Sequence, residues 1–285
     1  MRKLLPIVFV SIFTTSVTIL IASESISQKT EAGHDSKVVL ASEVKWEMLN
    51  PARGDKSPQA GTLWGDRKGS IPTGFLAKFV DGFSSPPHIH NTTYRAVVIH
   101  GNIHNDDPDA ADMWMPSGSF WTQPKGEVHI TAAKGVNNMA LVEIDYGPYL
   151  VLPTEKAFDN GERPINIDAS NIFWVDQPGM AASTNAPKVA YLWGNLQDGQ
   201  SNGTFIKLPA GFTGKIQSHG STFRAVVIKG KTQYQKSETE VKSLEPGSYF
   251  SSKGDFLHQV SSKAGVESII YIRTNGKYKV ISSGL

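Results

Sequence analysis

The chain has 285 residues, enough for one large domain or two ordinary ones, and its 39% hydrophobic and 19% charged residues are typical of a globular protein. Its 28 basic and 26 acidic residues nearly cancel, so the charge gives no reason to expect nucleic acid or anionic lipid as a partner. The absence of cysteine excludes disulfides, cysteine–zinc sites, cysteine nucleophiles and a lipid anchor on cysteine.

Residues 1–23 have the pattern of a secretory signal peptide. Arg2 and Lys3 precede an uncharged, apolar and hydroxyl-rich run that ends in small residues suited to cleavage. The run of about 19 residues is also long enough for an uncleaved membrane anchor. We expect cleavage, a neutral mature chain with no membrane attachment, and a periplasmic or secreted location. Residues 24–37 are expected to form a flexible leader.

An internal duplication organises the rest of the chain. Residues 93–101, Thr-Tyr-Arg-Ala-Val-Val-Ile-His-Gly, recur as residues 222–230, Thr-Phe-Arg-Ala-Val-Val-Ile-Lys-Gly, at an offset of 129. Two copies of this length indicate duplicated domains, because a solenoid needs several short units. We predict domain 1 at 38–150, a linker containing proline and glycine at 151–164, and domain 2 at 165–285.

Residues alternate within each copy with a period of two, as in β-strands. In the run from His88 to Ile99, even-numbered residues share one face of the predicted strand and odd-numbered residues share the other. Short strands separated by turn residues recur about every 8–12 residues, and no stretch has a helical pattern longer than about two turns. The pattern predicts an all-β fold, a sandwich or a barrel.

Three histidines in the first copy are placed to bind a metal ion. His88 and His90 lie two apart on a predicted strand, so both imidazoles leave the same face, and His129 can supply a third ligand from another strand. Imidazole suits zinc, copper, iron and nickel, and three ligands leave positions open for water, oxygen or substrate. We predict one divalent ion here, with iron, zinc, manganese, nickel and copper all open.

These motifs resemble those of the cupin superfamily. The first cupin motif, Gly-x5-His-x-His-x3–4-Glu-x6-Gly, aligns with these residues: Gly82, His88, His90, Tyr94 and Gly101. The second, Gly-x5-Pro-x4-His-x3-Asn, aligns with these: Gly118, Pro124, His129 and Ala133. Tyrosine replaces the glutamate of the first motif, and alanine replaces the asparagine of the second.

The resemblance covers nearly all of the chain after residue 37, because the repeat carries both motifs twice. It implies two tandem cupin barrels, each a jelly roll or double-stranded β-helix. The Arg-Ala-Val-Val-Ile-x-Gly run also resembles an uncharacterised bacterial double-cupin family. At the constant offset, Gln217, His219 and His258 take the three ligand positions in the second copy. One amide with two imidazoles makes a poorer site, so we expect a degenerate second barrel that binds metal weakly or not at all.

Two further side chains are candidates for catalysis in the first barrel. Tyr94, at the position of the missing glutamate, can donate a hydrogen bond to bound substrate or can pack as a core aromatic residue, as its counterpart Phe223 would. Glu127, two residues before His129, can face the cavity as a base or as the partner of a ligand. Three more residues are candidates for the rim of the cavity: Trp114, Trp121 and Gln123.

Arg95 and Arg224 occupy equivalent outward positions in the two copies. Their presence in both copies favours a structural contact between barrels or sheets over catalysis. Trp64 and Trp193, also at matched positions, are predicted to pack in a core. Cupin barrels can pair through exposed strand edges, so a homodimer and pairing of the two copies with each other both fit the sequence.

Two classes of function fit these predictions, because a fold alone does not decide function. The first is a metal-dependent enzyme acting on a small molecule, either a dioxygenase-like oxidoreductase on iron or a metal-assisted hydrolase on zinc. The second is a non-catalytic periplasmic barrel that binds or senses a small molecule. An acid or base near the metal would favour the enzyme, and an apolar lining would favour binding. Three neutral ligands leave the site dicationic, which favours an anionic ligand.

Overall fold

The structure is a computed structural model that describes residues 36–177 and 185–283. The signal peptide predicted at 1–23 and nearly all of the leader predicted at 24–37 lie outside the described residues. Within the described ranges, no helix has the length and apolar character needed to cross a membrane. The regular structure there is antiparallel β-strand, with four short 3-10 helices. The all-β prediction is therefore confirmed.

Strands occur throughout both described ranges. In the first copy they are β1 (Lys37–Val39), β2 (Glu47–Met48), β3 (Gln59–Trp64), β4 (Thr73–Phe79), β5 (Phe83–Ser84), β6 (Ile89–His90), β7 (Tyr94–Asp106), β8 (Phe120–Gln123), β9 (Ile130–Ile144) and β10 (Val151–Leu152). The second copy contains β11 (Ile165–Ile167), β12 (Val175–Asp176), β13 (Lys188–Gly194), β14 (Asn202–Leu208), β15 (Thr213–Ser218), β16 (Phe223–Lys229), β17 (Thr232–Gln235), β18 (Val241–Leu244), β19 (Tyr249–Ser252), β20 (Phe256–Ser262), β21 (Ser268–Thr274) and β22 (Tyr278–Ser282). The 3-10 helices are Ala41–Glu43, Pro51–Lys56, Thr154–Lys156 and Ala169–Asn171.

The strands form two barrels, the first from β2–β10 and the second from β12–β22. The large sheet of the first barrel has the order β11-β8-β7-β9-β4-β3-β2, with β5 also on β9, while β10 pairs with β6. In the second barrel, one sheet has the order β1-β19-β16-β21-β14-β13-β12 and the other β18-β17-β20-β15-β22.

The first strand of each copy pairs with a strand of the other barrel. β1 pairs with β19 of the second barrel, and β11 pairs with β8 of the first. Lys37, which the sequence assigned to the leader, is part of β1, and the first two residues of the predicted linker form β10. The repeat locates the two copies, but it carries no information about which strand pairs with which.

Strand β7 shows why the repeated run is apolar on both faces. Tyr94, Ala96 and Val98 pack in the core of the first barrel, whereas Val97 and Ile99 pack in a core shared with the second barrel. A strand buried on both faces has a nearly continuous hydrophobic sequence. The predicted alternation of faces is therefore confirmed, and β7 lies between the interior of one barrel and its neighbour.

The two copies pair with each other through this shared core. The guanidinium of Arg95 lies 3.8 Å from the ring centroid of Trp193, and that of Arg224 lies 5.3 Å from the ring of Trp64. Each arginine of one copy thus stacks on the matched tryptophan of the other. The predicted structural role of the two arginines is confirmed.

A buried ion pair crosses the same interface. A guanidinium nitrogen of Arg273 lies 3.2 Å from a carboxylate oxygen of Glu143, and the Tyr271 hydroxyl donates to that carboxylate at 2.7 Å. The Arg273 pKa is raised because the neighbouring carboxylates outweigh the cost of burying its charge. Arg273 also pairs with Asp145 at 2.6 Å, so removing Arg273 would leave the buried Glu143 carboxylate without its ion-pair partner and weaken the contact between the barrels.

Candidate metal centre

The three predicted histidines come together inside the first barrel. His88 and His129 lie opposite each other, and the backbone N–H of each donates to the carbonyl of the other, at 3.1 and 3.0 Å. His90 ends β6, on the same side of the chain as His88. One ring nitrogen from each of the three lies within 4.8 Å of those of the other two. The side chains are buried, with 9%, 2% and 0% exposure for His88, His90 and His129.

A backbone carbonyl fixes each imidazole. The Nδ1 atoms of His88, His90 and His129 lie 2.9, 2.9 and 3.1 Å from the carbonyl oxygens of Pro86, Leu150 and Glu127. A carbonyl only accepts hydrogen bonds, so each Nδ1 must carry the proton and each Nε2 carries the lone pair that can bind a metal ion. Histidine ligands of metal ions are oriented in this way in many proteins.

The protein environment also keeps the three rings neutral. Burial lowers the pKa of His88, and the pKa of His129 falls to about 3 through burial and the neighbouring His88. The pKa of His90 is lowered well below its usual value, first by burial and then by the other two histidines. Neutral imidazoles are the form that binds metal, so the residues present fit a divalent ion.

Two tyrosine hydroxyl groups lie next to the Nε2 atoms of the histidines. The Tyr94 hydroxyl lies 3.4 Å from Nε2 of His129, and the Tyr149 hydroxyl lies 3.2 Å from Nε2 of His90. The Tyr149 ring also stacks on the His90 ring, with 4.4 Å between centroids. Burial raises the pKa of Tyr94 to about 12, and the pKa of Tyr149 is also raised, so both groups stay protonated at neutral pH.

A buried amide network holds Tyr94. Its hydroxyl donates to Oδ1 of Asn105 at 2.8 Å, and the Thr131 hydroxyl donates to the same oxygen at 2.8 Å. The Asn105 amide donates in turn to Gln123 at 2.9 Å. Sequence reasoning missed Asn105 and Tyr149. The one available signal was that Tyr149 lies at the repeat offset from Tyr278.

A cavity of about 280 Å³ lies against His88 and His90. Its deep end is formed by His88, His90, Tyr94 and Trp121, and its walls are mainly aromatic and aliphatic. Of the predicted rim residues, Trp121 lines the cavity but is buried at its floor, and Gln123 supports Asn105. Trp114 packs near His104 instead, with 5.8 Å between ring centroids.

The Glu127 carboxylate is not among the groups that line this cavity. Burial raises its pKa, and its charged neighbours, beginning with Arg163 and Asp159, are outside the cavity lining. Its contribution to the site is the backbone carbonyl that holds His129. The sequence therefore pointed to Glu127 correctly, but its backbone carbonyl contacts His129 and its carboxylate does not line the cavity.

The second barrel has a different register at the matching place. In the first barrel, Ser84 pairs with Ala132 and His88 pairs with His129. Three residues separate Ser84 from His88, whereas only two separate His129 from Ala132, so the first strand has one extra residue. In the second barrel, Ile216 pairs directly with His258 and β15 has no extra residue. The structural counterparts of His88 and His90 are therefore Ile216 and Ser218.

The structure does not bring Gln217 and His219 to His258, which corrects the predicted second site. Side chains alternate along a strand, so a shift of one residue exchanges inward and outward positions. Ile216 and Ser218 are buried, while His219 is exposed and its Nδ1 lies 2.8 Å from a carboxylate oxygen of Asp255.

Both ring nitrogens of His258 are already engaged. Its Nδ1 lies 2.9 Å from the Tyr234 hydroxyl, and its Nε2 lies 2.9 Å from the Ser252 hydroxyl. Phe223 and Phe256 pack against the ring, with centroids 4.8 and 4.7 Å away. No group of metal-ligating residues like that of the first barrel occurs in the described part of the second.

Comparisons with known proteins agree with this architecture. The family model of the Domain of unknown function DUF4437 matches residues 37–281. A search of curated proteins found no match. Among solved structures, the chain is similar to a provisionally assigned dioxygenase from Nostoc punctiforme, with 10% identity and a TM-score of 0.63, covering 88% of this chain and 87% of that one.

Two oxalate decarboxylase structures are also similar. The Lactobacillus farciminis enzyme in complex with formate has 11% identity and a TM-score of 0.53, covering 88% of this chain and 89% of that one. The Bacillus subtilis enzyme, described with Mn(II) centres, has 11% identity and a TM-score of 0.50, covering 89% and 81%. At such identities the likeness shows the fold alone, and it confirms the predicted pair of cupin barrels.

Proposed function

Because the chain belongs to the DUF4437 family, whose function is unknown, we propose its function from its own site: a metal-dependent, dioxygenase-like oxidoreductase of small molecules. The proposal includes export to the periplasm or medium, on the basis of residues 1–23. One observation carries it. Three neutral imidazoles, each held at Nδ1 by a carbonyl, have ring nitrogens within 4.8 Å of one another, and two of them, His88 and His90, line an apolar cavity.

His88, His90 and His129 would hold the ion through Nε2. When bound, the ion supplies redox or Lewis-acid chemistry at the positions that three ligands leave open. The Tyr149 hydroxyl lies beside Nε2 of His90 and can donate a hydrogen bond to a substrate atom there. The Tyr94 hydroxyl lies beside Nε2 of His129 but gives its proton to Asn105, so it can only accept a hydrogen bond. The mainly apolar walls lower the local dielectric, which strengthens such hydrogen bonds.

The lining of the cavity favours oxidation over hydrolysis. Among the described residues that line it, none is an aspartate or a glutamate. A metal-assisted hydrolase benefits from a general base near neutral pKa, and the two tyrosines have pKa values above the usual range. The similar Nostoc structure, provisionally assigned as a dioxygenase, supports the same choice.

Non-catalytic binding is the second candidate, and the same observation favours it. A cavity without a carboxylate can hold a small molecule on the metal without turning it over. The first barrel would then serve as a periplasmic sensor or carrier. Measuring turnover in metal-loaded protein separates the two candidates.

Metal content of protein purified without a polyhistidine tag tests the proposal. We expect about one ion per chain by mass spectrometry, and loss of that ion in His90→Ala, because two imidazoles make a much weaker site. Ser218→Ala, at the matching position of the second barrel, is the control and should keep the ion. Oxygen consumption by the iron-loaded protein with candidate substrates then tests the chemistry.

Absence of bound metal after incubation with Fe(II), Mn(II) and Zn(II) would disprove the metal site. A bound ion without oxygen consumption on any substrate would favour the binding function instead.

A further inference from the structure

The cavity above the histidines has a charged group at its outer end. Arg53 lies in the 3-10 helix Pro51–Lys56, and apart from the histidines it is the one ionic side chain among the described lining residues. Arg53 is itself partly exposed, and Leu49 and Asn50, which precede its helix and also line the cavity, are exposed. The histidines at the other end are buried, so Arg53 marks the mouth of the cavity.

The Arg53 guanidinium is held in place but keeps donors free. Its Nη2 donates to the Ser84 carbonyl at 3.2 Å, and its central carbon lies 4.9 Å from the ring centroid of Phe83. Within the described chain, no acidic residue forms a salt bridge with it. An arginine has five N–H donors in a planar fork, so most of them remain available to a ligand.

The space between the mouth and the floor is apolar. Phe75, Phe79 and Phe83 line it together with Val142 and the ring of Tyr149. The volume of about 280 Å³ lies just below the usual range of small-molecule pockets, which begins at about 300 Å³. The cavity therefore fits a compact molecule with an apolar body and polar groups at its two ends.

We propose that the molecules bound in this cavity are small carboxylic acids with an aromatic or short aliphatic body, whose carboxylate pairs with Arg53 at the mouth. A guanidinium and a carboxylate match in shape and form two parallel hydrogen bonds. The far end of such an acid points to His88 and His90, the two histidines that line the cavity. The orientation of the acid toward the histidines rests on the proposed function, whereas its pairing with Arg53 rests on the cavity alone.

Calorimetric titration with matched acids and amides tests the inference. The pairs are 4-hydroxybenzoate with 4-hydroxybenzamide, 3-phenylpropanoate with 3-phenylpropanamide, and hexanoate with hexanamide. An acid that fits should bind at least about tenfold more tightly than its amide, because a hydrogen bond to a charged group is worth more than a neutral one. Arg53→Gln should reduce the affinity for the acid to that for the amide and leave the affinity for the amide unchanged.

Two further variants sharpen the test. Arg53→Lys keeps the charge but loses the two-bond geometry, so it should retain part of the preference. Lys56→Gln removes a charge from the same helix but outside the lining, and should keep the whole preference. Equal binding of acid and amide, a preference that survives Arg53→Gln, or no binding of any of the three acids would overturn the inference.

Running each titration with metal-loaded and metal-free protein separates the two proposals. A preference for the acids in protein that never binds metal would support Arg53 and contradict the metal centre. Bound metal with no preference for the acids would support the metal centre and contradict the role of Arg53.

Discussion

The two barrels come from one repeated sequence but differ at the position where the first has its metal ligands. The first barrel has His88, His90 and His129 there, with a carbonyl on each Nδ1. In the second barrel, Ile216 and Ser218 face His258, and that ring is enclosed by hydroxyl and aromatic groups. The histidine shared by both barrels is thus an available ligand in one and a satisfied core residue in the other.

The surrounding positions account for the difference. In the first barrel, the Asn105 amide donates to Gln123 and accepts from the hydroxyl of Tyr94, and neither amide bonds to His129. Their counterparts at the repeat offset, Tyr234 and Ser252, are the residues that engage both nitrogens of His258. A buried histidine can therefore bind metal only where its neighbours satisfy one nitrogen and leave the other open.

The largest expected effect is the loss of metal when the shared histidine of the first barrel is removed. His129→Ala should abolish metal binding, because it removes one of three ligands. His258→Ala should leave metal content unchanged but lower the free energy of unfolding by about 2–4 kcal/mol, through a cavity and two unpaired hydroxyl groups. Mass spectrometry of metals and urea unfolding measure the two effects. Loss of metal in both variants would contradict the contrast between the barrels.

The pH dependence of stability is a second, smaller contrast. Burial lowers the pKa of His258 to about 3, so below about pH 6.5 the unfolded chain takes up a proton that the folded chain cannot. The free energy of unfolding should fall with decreasing pH, by at most about 1.4 kcal/mol per pH unit from this residue. Urea unfolding of wild type and His258→Gln at pH 7, 6 and 5 measures it.

The histidines of the first barrel titrate in both proteins, so their contribution cancels in the comparison. The stability advantage of wild type over His258→Gln should therefore narrow steadily as the pH falls. A constant difference would mean that His258 is not a buried neutral residue.

Much of the fold and part of the site could be predicted from the sequence. The repeat, the period of two and the spaced histidines are local patterns, and they identified the two barrels, the three histidines that meet and the paired roles of Arg95 and Arg224. These features follow from residue types at fixed separations, which a single sequence displays directly.

The errors came from features that no local pattern encodes. The constant offset concealed two compensating one-residue shifts, an extra residue before His88 in one copy and one after Ser218 in the other. The offset of 129 is restored at Thr93 and Thr222, so the shift between the two insertions leaves no trace in the aligned motifs. The exchange of β1 and β11 between the barrels, and the approach of Tyr149 to His90 from the loop between β9 and β10, depend on tertiary contacts alone.

The smallest effects we expect are those of removing the hydroxyl groups of Tyr149 and Tyr278, which lie at matched positions of the two copies. The Tyr149 hydroxyl lies 3.2 Å from Nε2 of His90, whereas the Tyr278 hydroxyl lies 2.7 Å from that of Thr204. Neither phenylalanine variant should lose metal, because Tyr149 is a neighbour of the ligands and not one of them. Tyr149→Phe should change the visible spectrum of the Co(II)-loaded protein, since it removes a hydroxyl beside the open positions of the ion.

Tyr278→Phe should leave that spectrum unchanged and lower the free energy of unfolding by about 1 kcal/mol, the usual contribution of one buried hydrogen bond. Loss of Co(II) from Tyr149→Phe would instead make the phenol oxygen a fourth ligand. Identical spectra for both variants and wild type would mean that the Tyr149 hydroxyl turns away from the ion once it binds. The difference between the barrels would then depend on the histidines alone.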